Sequence, residues 1–186
     1  MWWLENSARR IARLGLALTI AGLAAGCFQP LYGERSATGG PGMRTAMSGV
    51  EVLPIFAPNG TPLARIAVET RNNLLFELTG GSGSTSPTHK LDVKLSSTTL
   101  SVIVDINTAR PDIENYGLDA TYTLVDLASG RTVLTSQTFA RVSYDIPGQQ
   151  QRFARARGLR DAENRAAKVI ADQIKQRLAS YFVAGT

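Results

Sequence analysis

Lys90–Asp105 reads KLDVKLSSTTLSVIVD, and its two interleaved alternations decide what kind of fold this chain adopts. Leu91, Val93 and Leu95 share one parity, whereas Leu100, Val102 and Val104 share the other. Side chains alternate across a strand, so each run marks one half-buried face. A change of parity without a turn predicts a bulge or kink near Ser96-Ser97. Downstream, Tyr116, Leu118, Ala120, Tyr122 and Leu124 alternate without interruption. Asp126-Leu127-Ala128-Ser129-Gly130-Arg131 is then a turn leading into a strand over Thr132–Tyr144, which together predict an antiparallel hairpin. Pro147-Gly148 ends the sheet.

Upstream, Val50–Phe56 reads as a strand, and Pro54 places it at a sheet edge or at a bulge. Thr61-Pro62 is a helix start, an N-cap followed by the imino acid at the first helical position. Leu63, Ile66, Ala67, Thr70, Leu74 and Leu78 recur at helical spacing before Gly80-Gly81 stop the helix. A second, long helix is expected from Gln149 to Val183. Its buried stripe is Leu159, Ala162, Ala166, Val169, Ile170, Gln173, Ile174, Leu178 and Tyr181. The order strand-helix-strand-strand-strand-helix predicts an α+β fold, a four-stranded mixed sheet with two helices packed on one face. That domain would occupy residues 50–186.

The N-terminal end belongs to a different category. Arg9, Arg10 and Arg13 precede an apolar run from Leu14 to Ala25, and Leu23-Ala24-Ala25-Gly26 lead to Cys27. A basic segment, a short apolar segment and small residues form the pattern of a secretory signal peptide, here 1–26. The apolar run is too short for a bilayer core, which needs roughly 20 residues. Cys27 is the only cysteine. Directly after a small-residue cleavage site it reads as a lipidation site, the alternative being a buried free thiol at the end of a membrane anchor. Leu23 stands one step earlier than the usual lipobox leucine. Residues 27–49 would then be lipid anchor and flexible tether, since Gly33–Gly49 is rich in Gly, Ser, Ala and Thr. Phe28, where an aspartate would signal inner-membrane retention, favours the outer membrane.

Composition narrows the function. The whole chain carries a formal +5, but residues 1–26 hold three arginines and Glu5, so the mature part has 17 basic and 14 acidic side chains, a net of +3. That bias is too modest for a nucleic-acid binder, and export argues independently against such a partner. His89 is the only histidine. Beside a Ser/Thr-rich loop, with no second histidine and no cysteine near, it offers neither a metal site nor a triad base, and is expected as a solvated loop residue. No phosphate-binding glycine loop appears, because Gly80-Gly81-Ser82-Gly83 ends a helix instead of starting one. No enzyme, metal or cofactor is implied.

Cys27-Phe28-Gln29-Pro30-Leu31-Tyr32-Gly33 resembles the opening of mature LptE-type LPS-assembly lipoproteins, although the glycine usual after the cysteine is missing. The order of elements matches that family too. The resemblance implies an outer-membrane lipoprotein of a Gram-negative bacterium, lipid-anchored and facing the periplasm. It would plug an LptD-like β-barrel, support that barrel's assembly and bind lipopolysaccharide on its way to the cell surface. The rival is a general envelope-scaffold or pilot lipoprotein without a lipid ligand.

Phosphates of such a lipid call for Lys or Arg. Lys90 and Lys94 share a strand face, Arg131 follows the hairpin turn and Arg141 lies along the last strand, so these four form the candidate patch. Scattered solubilising charges explain each of them equally well. The long helix is basic as well, and its apolar stripe is better spent on sheet packing than on a membrane. Phe28, Pro30, Leu31 and Tyr32 would sit at the membrane interface or fold back onto the domain.

Overall fold

The computed structural model describes residues 42–84, 86–105, 110–145 and 152–184. Along the chain these form α1 (Met43–Ser48), β1 (Val50–Val52), α2 (Pro62–Thr79), β2 (His89–Asp105), β3 (Arg110–Asp126), β4 (Thr132–Asp145) and α3 (Arg152–Ala184). The signal segment, Cys27, the opening through Gly33 and Pro147-Gly148 lie outside the described residues. One sheet has the order β1-β2-β3-β4, with β1 parallel to β2 and the other neighbours antiparallel. Parallel neighbours cannot share a tight turn, so α2 serves as their crossover. The mixed four-stranded α+β layer is the one expected.

Local chemistry sets the ends of α2. The Thr61 side chain accepts from the Ala64 N–H at 3.3 Å, with Pro62 directly behind it. At the other end Gly80 adopts φ 71°, so its N–H reaches Phe76 O at 2.9 Å and the Gly81 N–H reaches Leu75 O at 3.1 Å. Those two bonds satisfy carbonyls a helix end would otherwise leave open. Ile66, Ala67, Thr70, Leu74 and Leu78 are buried, as their spacing predicts, and Leu63 is half-buried.

Three features differ from the sequence expectation. The ordered fold starts before Val50, because α1 lies within the stretch expected as tether and buries Met43 and Met47 in the core. Two methionines four apart on a six-residue helix make one apolar face, which a Gly/Ser-rich composition hides. The first strand is shorter than Val50–Phe56. Its ladder covers Val50–Val52, then the Leu53 N–H donates to Leu91 O at 3.0 Å, and Pro54 has no N–H to continue it. The bulge, finally, is displaced. Pairing runs unbroken through Ser96↔Asp119 and Ser97↔Leu118, and the register shifts only between Ser101 and Val104. Ser96 to Ser101 is exposed on both faces, so burial does not dictate parity there and Leu100 stays on the open face, 64 % exposed.

The core lies between the sheet and the helices. Leu91, Val93, Leu118, Ala120, Tyr122 and Leu124 of the sheet form one core cluster with Ala162, Ala166, Ile170, Ile174 and Leu178 of α3, which lies over β3 and β4, while α2 lies over β1 and β2. Ala167, Ala171 and Ala179 are buried too, because α3 packs against α2 as well as against β3 and β4. Small residues let two helices approach to the near end of the 8–10 Å range. Val169, expected in the stripe, is 37 % exposed. No described helix is long and apolar enough to cross a membrane.

Candidate functional site

With both long helices on one face, the other face of the sheet is uncovered by the described residues. It presents Lys94, Ser96, Thr98, Thr121, Thr135, Gln137, Phe139, Arg141 and Ser143, all exposed. Lys90 and Lys94 are on this side, opposite in parity to buried Leu91 and Val93. Lys94 pairs with Thr121, which pairs with Gln137. Arg141 lies four residues further along β4, about 13 Å along the strands and about 10 Å across them from Lys94. Arg131 stands at the opposite end, beside the Lys90–Val125–Thr132 row. The four expected cations therefore do not form one cluster. They are spread along about 30 Å of sheet.

Arg141 is the most constrained of the four. One Nη donates to Asp119 Oδ1 at 2.8 Å, the other to Ala140 O at 3.1 Å, and the guanidinium sits 5.2 Å from the Phe139 ring centroid. Gly117, its cross-strand partner, makes this possible. A Cβ there would stand 3.1 Å from Arg141 Nε and 2.8 Å from Thr98 Oγ1. Arg141 is thus a cation paired with Asp119 beside an aromatic ring, whereas Lys94 is exposed in mid-sheet.

The helix side holds two buried carboxylates. Glu114 accepts from the Tyr144 hydroxyl and, at 3.0 Å, from Arg155. Burial, reinforced by that carboxylate, pushes the Tyr144 phenol up to about 12. Glu163 accepts from Arg65, which also donates to Asn164 at 2.8 Å and so joins α2 to α3. Lys175 reaches Glu77 at 2.5 Å on the same seam. In the sequence Glu163 counts only as one of the acidic residues, with Asp161 and Asp172, of the basic long helix. Glu114 shares the parity of Tyr116 and Leu118, a signal that its carboxylate needs a partner. Arg155 and Arg165 are held by Glu114 and Asp161, so part of the basic helix is engaged within the domain.

His89 corrects another expectation. It is the first residue of β2, half-buried, with its ring edge-on to Phe182 at 5.2 Å and Nδ1 2.9 Å from Thr88 Oγ1. Burial holds its imidazole below the ordinary value, with Asp126 pulling the other way. It packs the end of α3 onto the sheet. Among the described residues no three His, Cys, Asp or Glu converge on a metal position.

The described residues thus form an α+β layer with one polar sheet face opposite its two long helices. The LptE lipopolysaccharide-assembly family model matches residues 49–178, and the chain belongs to that family. The family is non-enzymatic and places the protein among LPS-assembly lipoproteins of the Gram-negative envelope. Among solved structures, a candidate lipoprotein from Caulobacter crescentus CB15 is similar at 19% identity and TM-score 0.60, covering 77% of this chain and 97% of its own. The rare lipoprotein B from Shewanella oneidensis is similar at 14% identity and TM-score 0.52, covering 73% and 96%. At these identities the likeness concerns the fold. No curated protein matches the chain.

Proposed function

We propose that this protein is anchored by acylated Cys27 to the periplasmic face of the outer membrane, associates there with an LptD-like barrel and supports its assembly. It binds lipopolysaccharide during delivery to the cell surface. The family match across 49–178, nearly the whole described domain, carries this reading. The surface is consistent with it. A sheet face of threonine, serine and glutamine with separated cations suits the polar interior of a barrel. Lys90, Lys94, Arg131 and Arg141 are the proposed phosphate contacts, acting singly along the face and not as one cluster.

Pull-down of the full-length lipoprotein from detergent-solubilised membranes tests the partner, and a large outer-membrane barrel is the expected catch. Recovery of a secretin instead, with no saturable lipopolysaccharide binding, would favour the scaffold role. Lys94→Glu with Arg141→Glu should weaken lipid binding while leaving the circular dichroism spectrum intact. Unchanged affinity discards the patch and leaves the family assignment standing. Mass spectrometry should find an acylated N-terminal peptide beginning at Cys27.

A further inference from the structure

The two edges of the sheet are built differently. At one side β1 covers β2 only over His89–Leu91, and beyond it the outer edge of β2 meets no described strand but is broken by register shifts between Ser101 and Val104. At the other, β4 runs for 14 residues with no proline and no glycine, and no described strand pairs with its outer side. Every second residue of such an edge turns its N–H and C=O outward. Natural edges of this length are normally blunted by proline, bulges or inward charge. The one irregularity in the β3–β4 pairing sits at the turn end, between Leu124 and Val125, which leaves the remainder regular.

Beside this edge runs a groove. One part, about 490 Å³, is lined by Arg141, Val142, Lys168 and Val169, and a second, about 570 Å³, by Ile113, Tyr144 and Gly158. Ser143 and Arg165 line both, so the two are continuous along β4. At the junction an Arg165 Nη donates to Ser143 O at 3.3 Å. A side chain thus occupies a ladder position that a neighbouring strand would otherwise fill. The charges around the groove nearly balance, Arg165 against Asp161, Arg141 against Asp119 and Lys168 near Asp172. Main-chain hydrogen bonding, not net charge, is therefore what this surface offers.

We propose that the outer edge of β4, with the groove between it and α3, docks an extended strand of a partner polypeptide. The incoming backbone N–H replaces Arg165 at Ser143 O, and small β-branched side chains on the inner side cover exposed Val169. The site borders the proposed lipid contacts at Arg141, which lines the groove, but the strand pairing at β4 does not depend on lipid binding.

The test uses the full mature lipoprotein in detergent and an eight-residue peptide of alternating Thr and Val with a terminal lysine. Hydrogen exchange should slow about tenfold at alternate amides of β4 and nowhere on β2, saturably. The same peptide N-methylated at alternate residues should not bind, and Val169→Lys, on an exposed helix position, should weaken binding several-fold. Absence of β4 protection overturns the proposal, as does equal binding of the N-methylated peptide. Protection of the same amides by self-association, seen as a doubled mass without peptide, also overturns it, because the edge then belongs to a second copy.

Discussion

Replacing Arg65 by alanine should destabilise the domain more than neutralising the carboxylate it serves. Glu163 has a side chain 8% exposed, whereas Arg65 is 35% exposed. Removing the arginine strands a carboxylate between α2 and α3, and losing one partner of a fully buried pair costs about 3–5 kcal/mol. Here the vacated arginine position opens to solvent, so water reaches the carboxylate and the loss falls to about 2 kcal/mol. Glu163→Gln keeps the volume and leaves an arginine that water can solvate, at about 1 kcal/mol. For a domain of this size that is a fall in Tm of about 6 °C against about 3 °C. Urea and thermal unfolding of the mature chain measure both, and the Arg65→Ala/Glu163→Gln double variant should recover part of the larger loss. Equal losses from the two single variants, or strict additivity in the double, would refute the reasoning, because the asymmetry follows only from unequal burial of two coupled groups.

Leu74→Ala, at a position with 0% exposure where α2 meets the core, should lower stability by about 2–5 kcal/mol in urea unfolding. His89 should titrate below 6.5 in an NMR experiment, where the chain's single imidazole can be followed alone. Its folded value is depressed, so its contribution is complete above 6.5 and is lost as pH falls from there toward the folded midpoint. His89→Gln should abolish that part of the acid slope. Gly117→Ala should push Arg141 off its bond to Asp119, since the new methyl stands 3.1 Å from Nε. A crystal structure, or the loss of protection of the Arg141 Nη protons by NMR at low temperature, reads that displacement.

Local signals were legible in the sequence wherever one segment settles its own structure. Thr61-Pro62 and Gly80 bound α2 because caps are satisfied within a turn or so of chain. The unbroken alternation from Tyr116 to Leu124 declared its buried face for the same reason. The bulge escaped because it depends on where the helical layer stops covering β2, which no window of β2 contains. The α3 stripe was legible except at Val169, but it was one of two contact faces. Its contact with the sheet follows one apolar row, but its contact with α2 is made by Ala167, Ala171 and the Glu163–Arg65 pair, whose partner lies 98 residues away.

By itself, then, the chain determined its elements, their order and the layer they build, because helical and strand periodicities are properties of neighbouring residues. Only the tertiary structure decided that Lys90, Lys94, Arg131 and Arg141 stand apart, that Arg141 is tied to Asp119 and that the outer edge of β4 meets no described strand. Those outcomes depend on register and on which face the helices cover, and both are set by contacts between segments far apart in sequence.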